Sequence, residues 1–76
     1  MPLAHLKTGS KAIVVSLDDM SAHERNKLMS LGVMAGAEIN LMQRFPSYVI
    51  SIGYTQLAID HETAQLIRVT QVHIAP

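Results

Sequence analysis

The sequence predicts a mainly β fold: a small, five-stranded, partly open barrel with one short inserted α-helix. Three observations point to it. Apolar residues recur with a period of two in several short stretches, and clusters of Gly, Pro, Ser and Asp separate those stretches. One segment carries helix-starting and helix-stopping chemistry together with helical spacing. The length of 76 residues allows a single core over residues 1–76 and leaves no apolar surface for a second. Closing a sheet on itself hides edges that would otherwise aggregate, which favours a barrel over a flat sheet.

Leu3 and Leu6 stand three apart and predict a short turn tucked under the barrel. Thr8-Gly9-Ser10 is turn chemistry. From Lys11 to Leu17, the residues Ile13, Val15 and Leu17 alternate with Ala12, Val14 and Ser16, a strand from which Ile13 and Val15 are assigned to the core. Ser21-Ala22-His23-Glu24 is a capping box, and Arg25, Leu28, Met29 and Leu31 follow at helical spacing, so a helix is expected from Ala22 to Leu31. Gly32 stands where a left-handed cap ends it.

A turn at Ala35-Gly36 leads into a second strand, Glu38 to Arg44, with Ile39 and Leu41 on one face. After Pro46-Ser47, the residues Tyr48, Ile50 and Ile52 mark a third strand. A bend at Gly53-Tyr54-Thr55 turns the chain back into a fourth, carrying Leu57 and Ile59. Asp60 to Leu66 reads as one helical turn capped by Asp60. Ile67 and Val69 form the fifth strand, and because Val72 and Ile74 fall out of phase with them, a bulge is expected near Thr70-Gln71. The expected core is Ile13, Val15, Leu28, Leu31, Ile39, Leu41, Ile50, Leu57, Ile59, Ile67 and Val69.

Composition narrows the function. With 49% hydrophobic and 16% charged residues, the chain has enough apolar surface to fold. It contains no cysteine, so disulfides, thiolate zinc sites and thiol nucleophiles are excluded, and a reducing compartment is favoured. The first residues lack the basic start and long apolar run of a signal peptide. The longest apolar run, Ala12 to Val15, is far short of the roughly 20 residues that cross a bilayer, so a cytoplasmic protein without direct membrane insertion is expected. Net charge is zero, which leaves no basic stripe for nucleic acid.

No residue set for catalysis is present. Asp18-Asp19 reads as a solvated strand end that favours the following helix N-terminus, the four glycines are too dispersed to cradle a phosphate, and no nucleophile motif occurs, so no enzyme is expected. His5, His23, His61 and His73 are isolated from one another, and the neighbours in His23-Glu24 and His61-Glu62 point to different parts of a helix surface. No metal or cofactor site is assigned. A metal binder or iron chaperone using these histidines is the alternative to a protein-binding module. Met29 reads as packing and Met34 as surface. Phe45, Tyr48 and Tyr54, the aromatics of the chain, gather at one loop and one hairpin end. Together with Met34 they form the expected partner-binding surface.

These residues carry a resemblance along nearly the whole chain. Leu3, Leu6 and Gly9, the strand Ala12 to Leu17, then Arg25, Leu28, Leu31-Gly32 and Gly36, followed by Ile39, Pro46, Gly53, Leu57, Ile59, Ala64, Ile67 and Val69, resemble the FeoA family. Its most specific piece is Leu31-Gly32-Val33-Met34-Ala35-Gly36, similar to the family's Leu-Gly-aliphatic-x-Pro-Gly. Ala35 stands in place of the usual proline, Asp60 in place of a common arginine, and the loop Arg44 to Tyr48 is shorter than the family form. The resemblance implies an SH3-like barrel acting as a cytoplasmic accessory to bacterial ferrous iron transport. The implied partner is FeoB, the membrane transporter that carries a GTP-binding domain.

Overall fold

The computed structural model describes residues 1–72. A 3₁₀ turn, Leu3–His5, precedes strand β1 (Lys11–Ser16), helix α1 (Ala22–Ser30), strands β2 (Glu38–Gln43), β3 (Tyr48–Ile52) and β4 (Thr55–Ile59), helix α2 (His61–Leu66) and strand β5 (Arg68–Gln71). The strands form one antiparallel sheet in the order β4-β3-β2-β1-β5.

Local chemistry sets most of the boundaries. The Ser21 hydroxyl accepts from the Glu24 N–H at 3.2 Å and opens α1. At its other end Gly32 N–H donates to the Met29 carbonyl and Val33 N–H to that of Leu28, both at 3.0 Å, which is the Schellman arrangement. Gly32 sits at φ +99°, a conformation that favours glycine. The predicted helical turn after Asp60 is the full helix α2, so a second α-helix joins the one expected. Asp60 caps it by accepting from the Thr63 N–H at 2.7 Å, and that bond holds its carboxyl below the ordinary value.

Two features of β1 depart from the sequence reading. Val14 pairs with Val69, but Ser16 pairs with Arg68, so Val15 is an extra residue on β1. A bulge of this kind reverses the facing of everything beyond it. The buried set is therefore Ala12, Val14 and Leu17. Val15, expected in the core, is 54% exposed, and Ile13 is only partly buried. The bulge expected at Thr70-Gln71 is absent there, since β5 pairs regularly with β1 from Val69 to Gln71. Ile74, the other half of that argument, lies outside the described residues.

The core lies between the inner sheet face and the segment that runs beneath it. Leu3, Leu6, Val14, Val33, Ile39, Leu41, Ile50, Ile67 and Val69 are almost completely buried. Met20, Tyr48 and Ala64 join them, and Leu28, Ile52, Leu57 and Leu66 pack against the cluster from partly exposed positions. Helix α1 contributes no fully buried residue, because its polar face dominates. Leu31 and Met29, both expected to pack, are exposed.

The two sheet edges are treated differently. Along β5 the N-terminal segment adds a partial strand: Pro2 bridges to Arg68, Leu3 N–H donates to the Ile67 carbonyl at 2.8 Å, and Val69 N–H donates to that of Met1 at 2.7 Å. Helix α2 packs on the same segment. At the opposite edge, β4 pairs among the described residues with β3 alone.

Candidate interaction groove

The structure separates the four residues expected to form one contact surface. Tyr48 is 5% exposed and belongs to the core, so it is not available as an exposed contact. Its hydroxyl lies 3.0 Å from His61 Nδ1, and the Arg44 guanidinium sits over its ring, 5.8 Å from the centroid. Arg44 also donates to the carbonyls of Leu6 at 2.9 Å and Ala4 at 3.0 Å. Tyr48 is thus a strut that joins β3, α2 and the end of β2.

Phe45 is 86% exposed in the β2–β3 loop and Tyr54 is fully exposed in the β3–β4 turn. These loops lie at opposite ends of β3, separated by roughly 13 Å of strand at about 3.3 Å per residue. Phe45 and Tyr54 therefore cannot belong to one small patch. Met34 falls at the Tyr54 end: Gly32 lies beside Ile52, and Gly36 N–H donates to the Val14 carbonyl at 2.8 Å. Met34, Leu31 and Val15 are exposed there with Tyr54.

A concavity lies elsewhere. A groove of about 700 Å³ runs between α1 on one side and β4 with α2 on the other, within the range of ordinary ligand clefts. His23 and Lys27 on one face of α1, with Leu31 just past its end, form one wall, and Leu57, Ala58 and Ile59 form the other. Glu24, Asp60 and Glu62 line it alongside Lys27. The groove exists because α1 sends only Leu28 toward the core and so stands away from β4. One signal in the sequence bears on it: a strand, Thr55-Gln56-Leu57-Ala58-Ile59, with neither charge nor proline.

Among the described residues, the histidines build no shared metal site. His23 and His61 both line the groove, His5 lies in the 3₁₀ turn, and His73 is outside the described residues. Among the described residues, no group of three or more His, Cys, Asp or Glu side chains could hold a metal ion. His61 is already engaged, with Tyr48 on one ring nitrogen and Gln65 at 3.1 Å on the other. Among the described residues, no helix is long and apolar enough to cross a membrane.

A single open barrel of five short antiparallel strands, closed beneath by a 3₁₀ turn and flanked by two short helices, is an SH3-like domain. The FeoA domain matches residues 1–71, and the chain belongs to that family. Among solved structures it is similar to the iron uptake regulatory protein FeoA, with 32% identity over 95% of this chain and 96% of that one and a TM-score of 0.81. Iron(II) transport protein A of Clostridium thermocellum is 31% identical over 95% of this chain and 46% of that one, with a TM-score of 0.85. FeoA of Stenotrophomonas maltophilia, solved with zinc and described as a prokaryotic SH3 domain protein, is 25% identical over 92% and 89% of the two chains, with a TM-score of 0.80. No curated protein matches significantly. Membership in the family places the chain in ferrous iron transport.

Proposed function

We propose that this chain is a cytoplasmic accessory domain of ferrous iron transport that acts by binding the FeoB transporter and catalyses nothing itself. The observation that carries this reading is the FeoA domain match over residues 1–71. The absence, among the described residues, of a helix long and apolar enough to cross a membrane is consistent with action through a membrane-spanning partner. The exposed groove and the exposed apolar residues Tyr54, Met34, Leu31 and Val15 offer surface suited to such contact.

Capture experiments test the reading. Immobilised chain is expected to retain FeoB from detergent-solubilised membranes, and anaerobic titration with ferrous iron is expected to give no tight stoichiometric binding. Failure to retain FeoB, combined with saturable micromolar iron binding that one His→Ala change abolishes, would replace the docking role with a metal-carrying one.

A further inference from the structure

Strand β4 lies at an edge of the sheet. Ile52 and Thr55 flank a two-residue hairpin loop in which Gly53 takes φ +57° and Tyr54 stays negative, as type II′ turns require. Such a loop closes on a hydrogen-bonded pair, and bonded and non-bonded pairs alternate along an antiparallel ladder. The pairs Ile52 with Thr55, Ile50 with Leu57 and Tyr48 with Ile59 are therefore the bonded ones. The N–H and C=O groups of Gln56 and Ala58 face away from β3, and among the described residues no backbone bond reaches them from outside the sheet.

Exposed edges are normally blunted by lysine, proline, a bulge or a covering segment. β5 has its covering segment; β4 carries neither charge nor proline, its five pairs with β3 are in continuous register, and among the described residues no segment pairs with its outer side. The groove runs directly along it, with Leu31 and Leu57 exposing apolar surface.

We propose that β4 accepts an extended segment of the partner as an added strand, and that this segment carries basic side chains alternating with apolar ones. Main-chain bonds to Gln56 and Ala58 would supply the pairing, and alternate side chains of the segment would meet the leucines that line the groove. Charge selects the occupant. Glu24, Asp60 and Glu62 outnumber Lys27 on the groove walls, so a second copy of this chain would set like charges against each other, whereas a basic segment complements them. This deepens the docking role proposed above and rests on it.

The test measures amide hydrogen exchange and affinity with detergent-solubilised FeoB. The Gln56 and Ala58 amides are expected to slow on binding, and Glu62→Lys and added salt to weaken the complex. Ala58→Pro removes an outward N–H without touching the β3 ladder, so it is expected to fold normally and bind at least roughly tenfold more weakly. If the wild type binds while Ala58→Pro binds equally, or if those two amides stay unprotected, the strand-addition mode is wrong and the docking role stands. No binding by the wild type removes the docking role and this mode with it. Self-association of the free chain that Ala58→Pro abolishes would make the occupant a second copy and overturn the proposal. Should Ala58→Pro fail to fold, wild-type amide exchange and Glu62→Lys still decide between these outcomes.

Discussion

The two edges of this sheet carry similar strands and meet opposite fates. β5 is short, bears Arg68, and is sealed by Met1, Pro2 and Leu3, which bond to Ile67 and Val69 and insert Leu3 into the core. β4 is uncharged and faces a groove rather than a covering strand. The N-terminal segment thus stabilises one edge, and among the described residues no segment pairs with the outer side of the other. Stability should accordingly concentrate on the β5 side and tolerance to change on the β4 side.

Changes on the sealed side should have the largest effects. Leu3 is fully buried, so Leu3→Ala is expected to cost about 2–5 kcal/mol, with thermal unfolding as the readout. At roughly 4–8 °C per kcal/mol for a domain of this size, the midpoint should fall by more than about 8 °C. A fall of a degree or two would mean that the N-terminal segment is a loose cover and that the contrast between the edges is small.

Arg44→Ala removes the side chain that clips the carbonyls of Ala4 and Leu6 from the far end of β2. Charged hydrogen bonds of this type contribute about 1.5–3 kcal/mol, discounted here because Arg44 itself is exposed, so a loss of about 1–2 kcal/mol is expected in denaturant titration. Arg44→Lys should recover less than half of it, because an ammonium cannot reproduce the fork. Full recovery by lysine would show that only charge matters there.

Away from both edges, Ala35→Pro should stabilise. Ala37 N–H donates to the Met34 carbonyl at 2.9 Å and Gly36 takes φ +92°, which together define a type II turn with Ala35 at the position that favours proline. A gain of about 0.4–1 kcal/mol is expected in equilibrium unfolding. A loss would show that Ala35 does not hold the backbone angle that proline requires.

The smallest effect is at the lip of the groove. The Thr63 N–H lowers the Asp60 carboxyl below its ordinary value of 3.8, so the ionised form is favoured in the folded chain. Its contribution is complete above that value and is lost as pH falls below 3.8 toward the folded value. Melting midpoints of wild type and Asp60→Asn, which keeps a capping side chain, should converge as the solution is acidified through that window. A gap that stays constant with pH would remove the charge from the cap.

What the sequence made legible follows from the range over which each feature is determined. The ends of α1, the cap at Asp60 and the bend at Gly53 depend on residues within a few positions of one another, and the structure agrees with the reading at each. The facing of β1 depends on a bulge at Val15 that is set by pairing with β5, more than fifty residues away, and a uniform period of two put Val15 inside. Tyr48 was misplaced for a similar reason. An aromatic beside a loop looks available until α2 brings His61 to its hydroxyl. Phe45 and Tyr54 are near in sequence but point from opposite ends of one strand, and the groove joins segments that lie distant in the chain.

The contrast between the edges is tested most directly by amide hydrogen exchange in the free chain. The Val69 amide, held by the Met1 carbonyl, should exchange slowly, while those of Gln56 and Ala58 should exchange at rates close to those of the Gly53-Tyr54 turn. Equal protection of Val69, Gln56 and Ala58 would mean that β4 is already covered in the free protein, and the account of an edge left open for a partner would be contradicted.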